Sequence, residues 1–138
     1  VSTPTRPVLP SEARRKLDTD TLLQLIVSEA FEIKPTAIVH LDLRKLCAFT
    51  DHFLIVSVPS TRQVRAIAER IEKRLREEYV RIFHREEDLQ ARWILLDYSD
   101  VIIHIFDDEM RLHYDLEGLW ADAPRREWVQ SSGSVPLG

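Results

Sequence analysis

Asp42, Asp51, Asp97 and His104 are the side chains best suited to acid–base work or to holding a metal ion, because they fall at or near the ends of strand-like runs. Paired carboxylates can hold a catalytic divalent ion, as in nucleotidyl transfer. The surrounding pattern argues against that use. No Glu-x-x-His or His-x-x-x-His helical pair occurs, and His40, His52, His84, His104 and His113 are scattered. Gly118, Gly133 and Gly138 are the only glycines, which excludes the P-loop and the dinucleotide fingerprint, both of which need glycine where backbone approaches phosphate. A single cysteine, Cys47, permits neither a disulfide nor a cysteine zinc site within one chain. Ser57 and Ser60 lack a nucleophile elbow, and Ser60 reads better as a helix cap. The expectation is therefore no catalysis, no cofactor and no bound metal.

The elements that must position these residues belong to one domain. The chain has 138 residues, 44% hydrophobic and 30% charged. A domain of this size buries roughly 68–70% of its unfolded surface, enough for a true core. Its 19 Lys+Arg against 23 Asp+Glu give a net charge of −4, which argues against a protein that coats nucleic acid. No apolar run approaches the ~18 residues of a membrane span. Residues 1–17, proline-rich at their start, are expected to form a flexible arm, and residues 125–138 a C-terminal tail.

Between the ends, helix and strand alternate. Residues 20–33 place Leu22, Leu23, Ile26, Val27, Ala30 and Phe31 on one helical stripe, which Pro35 stops. Residues 38–44 alternate strictly, as a half-buried strand does, and residues 53–58 are apolar enough for a strand covered on both faces. Ser60 and Gln63 have the spacing of a capping box ahead of a second helix, whose stripe is Val64, Ile67, Ala68, Ile71 and Leu75. Its basic outer side reads as a solvated face of exchangeable pairs. One short edge strand is expected near residues 80–83. Residues 107–120 fit a single helix opening on Asp107, Asp108 and Glu109, with Met110, Tyr114 and Leu119 or Trp120 turned inward.

Residues 93–106 (WILLDYSDVIIHIF) are the most informative stretch. Two apolar runs flank Ser99-Asp100, a break of hairpin type. A two-residue loop sets Asp97 opposite Ile102, Leu95 opposite His104 and Trp93 opposite Phe106. One face then carries Ile94, Leu96, Tyr98, Val101, Ile103 and Ile105, an ordinary core. The other carries Trp93, Leu95, Asp97, Ile102, His104 and Phe106. That mixture fits a protein-binding hot spot of aromatic anchors ringed by polar groups. It equally fits a face covered by a helix, with His104 a satisfied core histidine. Residues 97–122 hold eight acids and one base, Arg111, a net −7 that leaves +3 for the rest. Such asymmetry suits a basic partner, although a solvated acidic helix would show it too.

Three motifs now resemble a known family. They are Asp51-His52-Phe53-Leu54-Ile55-Val56 with Ser60-x-Arg62-Gln63-Val64, then the hairpin from Trp93 to Phe106, then Arg111-x-x-Tyr114-x-Leu116-Glu117-x-Leu119-Trp120-x-Asp122-Ala123. In this order they are similar to the ribosomal silencing factor RsfS, or Iojap, family over residues 18–124. Val58-Pro59 and Ser99 stand where that family commonly has glycine.

The resemblance implies an α+β fold, a mixed β-sheet flanked by helices with nucleotidyltransferase-like topology but no catalytic signature. It implies a non-enzymatic translation repressor that binds the large ribosomal subunit through ribosomal protein L-fourteen and sterically blocks subunit joining. In organelles the relatives are linked to large-subunit biogenesis. Little or no direct nucleic-acid contact, no membrane and a possible homodimer are expected, in the cytoplasm or, in a eukaryote, an organelle matrix or stroma. The partner-binding residues expected on this basis are Trp93 as anchor, Leu95, and Asp97 as a charge-assisted acceptor, with His104, Asp51 and Tyr114 nearby. The competing readings are a metal-dependent nucleotidyltransferase-like enzyme and a dimeric adaptor with other clients.

Overall fold

The structure, a computed structural model, describes residues 17–129. The expected arm, Leu17 apart, and the last residues of the expected tail lie outside them. The elements run α1 (Thr19–Phe31), β1 (Ala37–Asp42), β2 (His52–Val58), α2 (Thr61–Glu77), β3 (His84–Glu87), β4 (Trp93–Asp97), β5 (Val101–Asp107), α3 (Asp108–His113), α4 (Leu116–Leu119) and β6 (Arg125–Glu127). The fold is α+β, with one six-stranded mixed sheet in the order β3-β4-β5-β2-β1-β6. Among the described residues only the β2–β5 pair is parallel; the other neighbours run antiparallel.

The sheet separates two cores. On one side α1 and α2 lay their apolar stripes (Leu22, Leu23, Ile26, Val27 and Val64, Ile67, Ile71, Leu75) over Leu54, Val56, Ile94, Leu96, Ile103 and Ile105. On the other, Val39, Leu41, Phe53, Ile55, Ile102 and Phe106 lie under Met110, Leu116 and Trp120 of the acidic segment. β2 is buried at all seven positions because it is central and covered on both faces, as its unbroken apolar run requires.

Both long helices begin on the caps their sequences offer. Asp18 accepts the Thr21 N–H at 2.7 Å, and Ser60 Oγ accepts the Gln63 N–H at 3.3 Å. The capping box is only half made. The Gln63 amide does not return to the Ser60 backbone; its oxygen accepts from Ser60 Oγ at 2.8 Å and its nitrogen donates to the Ile33 carbonyl at 3.2 Å. Gln63 thus ties the start of α2 to the loop after α1.

Three other expectations shift. The edge strand lies at β3, beyond residues 80–83, and all four of its residues are exposed. Arg85 holds it to α2 through Glu72, 3.2 Å away. Residues 107–120 form two short helices, because Asp115 caps α4 at the Gly118 N–H, 2.9 Å away. A Cβ on Gly118 would press on the Asp115 carboxylate, which would have to shift from its present capping position. Finally, the sheet runs past residue 124: Arg125, Arg126 and Glu127 pair with Leu41, His40 and Val39, so the first residues of the expected tail are an edge strand.

Candidate functional site

The β4–β5 hairpin has the register its sequence sets, with Trp93 opposite Phe106, Leu95 opposite His104 and Asp97 opposite Ile102. The Tyr98 N–H donates to the Val101 carbonyl at 2.9 Å and closes a two-residue turn. Ser99 takes φ 75°, the left-handed region where glycine is favoured.

Neither of the two expectations for the mixed face holds throughout, because the face divides strand by strand. Ile102, His104 and Phe106 of β5 are buried beneath the covering segment. Trp93, Leu95 and Asp97, on the neighbouring strand nearer the sheet edge, are half-buried. Partial cover leaves an apolar strip next to solvent, with the Asp97 carboxylate at its hairpin-turn end.

His104 is 8% exposed, so it belongs to the floor of this strip. The Trp93 indole N–H donates to His104 Nδ1 at 3.3 Å. Indole nitrogen can only donate, so Nδ1 must accept and the ring proton sits on Nε2. His104 Nε2 is buried without a hydrogen-bond partner among the described residues. The ring lies parallel to Phe106 (6.0 Å, 4°) and meets Phe53 edge-on at 4.8 Å. Burial, with Arg111 adding repulsion, lowers its pKa to about 4, so the ring is neutral at physiological pH.

Tyr114 joins this cluster. Its ring stacks on Phe106 at 5.8 Å and 22°, and Phe106 stands 6.4 Å from Trp93. Trp93, Leu95, His104 and Tyr114 are therefore brought together. Asp97 lies four residues along β4 from Trp93, roughly 13 Å at strand spacing. One of its oxygens is engaged, accepting the Ser99 N–H at 2.7 Å. Asp51 is exposed before β2, where its N–H donates to the Asp100 carbonyl at 3.2 Å. It marks the hairpin-turn end of the sheet, about 20 Å along the strands from Trp93.

The carboxylates that invited a metal reading do not converge. Asp42 is opposite His52 and so faces the α1–α2 side, whereas Asp97 is on the Trp93 side and three strands away. Asp42 is occupied by Arg44, whose Nη2 lies 2.6 Å from Oδ2, and that contact lowers its pKa to about 2.

Several residues that bear on the site were not singled out by sequence reasoning. Leu112 is 85% exposed on α3 and Phe49 66% exposed in the β1–β2 loop, and Leu119 of α4, which the sequence did name, is 72% exposed. Leu119 was expected to pack inward as an alternative to Trp120; Trp120 alone does so, edge-on to Phe53 at 6.1 Å. A helix pattern read as continuous hides this, since the break at Tyr114 rotates the second turn. The structure also joins His40 and His52, with Nε2 and Nδ1 2.8 Å apart, a contact that only the β1–β2 register reveals.

The acids of residues 97–122 are partly consumed. Asp107 caps α3 through the Met110 N–H at 2.7 Å, Asp108 accepts from Thr36 Oγ1 at 2.9 Å, and Glu117 pairs with Arg111 and Arg125. Asp100, Glu109 and Asp122 remain exposed.

Comparison with known proteins gives a consistent result. The family described as "Ribosomal silencing factor during starvation" matches residues 16–135. The chain is similar to the ribosomal silencing factor RsfS of Halalkalibacterium halodurans, 40% identical over 106 residues, covering 77% of this chain and 91% of that one. A mouse protein named "Mitochondrial assembly of ribosomal large subunit protein 1" is 30% identical, over 76% of this chain and 46% of its own. A crystal structure of a Chromobacterium violaceum protein superposes with a TM-score of 0.72 at 30% identity, covering 75% of this chain and 87% of that one.

Proposed function

This chain belongs to the ribosomal silencing factor family, and from that premise we propose that it binds the large ribosomal subunit through ribosomal protein L-fourteen and blocks subunit joining by occupying the joining face. The mechanism is steric exclusion. It requires no bond chemistry, only an affinity high enough to compete with subunit docking.

The observation that carries this reading is the half-buried strip of Trp93, Leu95 and Asp97 beside an otherwise buried sheet face. Trp93 and Leu95 supply apolar contact area, and the exposed acids of residues 97–122 favour a basic partner such as a ribosomal protein. Tyr114, exposed and stacked on Phe106, widens the anchor, and His104 supports it from below. Asp51 and Asp97 contribute charge at the hairpin-turn end. The name of the mouse relative, which refers to the large subunit, agrees with this choice of subunit. The protein acts where ribosomes are, in the cytoplasm or an organelle interior, and a homodimer is compatible with the scheme.

Sucrose-gradient sedimentation of large and small subunits, with and without the protein, tests it. The expected result is co-sedimentation of the protein with large subunits and fewer assembled ribosomes. Unchanged joining at saturating protein overturns the proposal.

A further inference from the structure

His104 cannot meet a partner directly, since it is buried. It is nevertheless a costly residue to keep there. Its Nε2–H has no acceptor among the described residues, and a buried unpaired donor destabilises the fold relative to a leucine or phenylalanine in the same space. Its Nδ1, by contrast, is used, and the donor it takes is the indole of the half-exposed Trp93. An indole has one polar atom, so whichever way that N–H points decides which edge of the ring faces outward.

We propose that His104 is a positioning residue: it draws the Trp93 N–H inward, so that the docking partner meets the carbon edge and face of the indole and finds no hydrogen-bond donor there. This rests on the reading of Trp93 as the docking anchor. It adds a statement about what that anchor recognises. The matching group on the partner is an aliphatic stem, or a lysine or arginine laid on the ring, and not a carbonyl or carboxylate acceptor. The ring of Phe106, itself backed by Tyr114, stacks beside the indole while His104 fixes its rotation about the side-chain bonds. Neutrality of the ring matters here, because a protonated imidazole would turn Nδ1 into a second donor facing the indole N–H.

The test compares three variants of the full chain for co-sedimentation with purified large subunits. His104→Leu removes the acceptor in an apolar shape, His104→Asn restores an acceptor near the place of Nδ1, and Trp93→Ala removes the anchor. Hydrogen exchange of the Trp93 indole N–H, followed by NMR, reports the bond itself. The expected result is a protected Trp93 N–H in the wild type, about tenfold or more loss of affinity in folded His104→Leu, the scale of a displaced hot-spot anchor, and recovery in His104→Asn. Exchange of the wild-type indole at the rate of a free one overturns the inference without needing any variant. So does wild-type affinity in His104→Leu while Trp93→Ala binds poorly. Should Trp93→Ala itself bind normally, the anchor reading falls, and this inference with it.

Discussion

Asp97 Oδ1 lies 2.7 Å from the Ser99 backbone nitrogen, so the carboxylate on the Trp93 side of the sheet also stitches the hairpin turn beneath it. Two roles thus share one side chain, and substitution can separate them. Asp97→Asn keeps an oxygen for the Ser99 N–H and removes the charge. It is expected to leave stability within ~0.5 kcal/mol, the scale of an ordinary surface change. It should slow association with large subunits and flatten the salt dependence of that rate. Asp97→Ala loses the bond as well and should cost about 0.5–1.5 kcal/mol of stability. Urea unfolding and stopped-flow binding at two ionic strengths read both quantities. Equal unfolding midpoints for the two variants would show that the turn does not need the carboxylate.

The turn itself carries strain. Ser99 sits at φ 75°, a conformation that disfavours a side chain by roughly 1–2 kcal/mol. Ser99→Gly relieves this, offset in part by the greater freedom of glycine in the unfolded chain. A net gain of about 0.5–1 kcal/mol is expected, a rise in Tm of about 2–4 °C for a domain of this size. Calorimetry checks it. A fall in Tm would mean that Ser99 makes a compensating contact worth more than the strain.

Trp93 and Trp120 flank the same sheet face yet should respond differently to truncation. Trp120 packs edge-on to Phe53 and pins the covering segment, so Trp120→Ala is expected to lower stability by about 2 kcal/mol, with binding affected only as far as folding is. Trp93→Ala should remain folded and lose about 2–4 kcal/mol of binding, 30-fold to nearly a thousandfold. The discriminating measurement is affinity for large subunits well below both melting temperatures. Reversed sensitivities would move the docking surface from β4 to the α4 end.

Much of this arrangement is written locally in the chain. Ser99-Asp100 between two apolar runs sets the hairpin register, and with it the neighbours of Trp93 and His104. Val64, Ile67, Ile71 and Leu75 set the buried side of α2. What the sequence hides is whatever depends on tertiary cover. His84, Arg85, Glu86 and Glu87 have no apolar alternation, and they form a strand only because the edge of β4 offers hydrogen bonds. The sharing of one face between buried His104 and half-buried Leu95 depends on where residues 108–122 come to rest. Nothing in their own periodicity, interrupted at Tyr114 and Asp115, fixes that placement. The Trp93–His104 bond is legible only after the fact, as a diagonal neighbour pair across the hairpin.

Acid should weaken the fold over a defined window. Burial pushes His104 and His40 each down to about 4, the latter also by repulsion from His52, and burial lowers His52 as well. In the unfolded chain these rings titrate near 6.5. Between about pH 6.5 and 4 the unfolded state therefore binds protons that the folded state refuses, and stability falls as pH is lowered. Above that window these groups contribute no slope. The Asp42 carboxylate, held low by Arg44, acts in a separate range, losing its contribution as pH falls from its unfolded value toward about 2. The share of His104, nearly fully buried, is on the order of 3 kcal/mol across its window. Urea unfolding at pH 7, 6, 5 and 4.5 should show the decline, and His104→Leu should remove close to one proton of it. An unchanged pH slope in that variant would mean that His104 protonates as readily folded as unfolded, which its closure under Phe53, Phe106 and Trp93 does not allow.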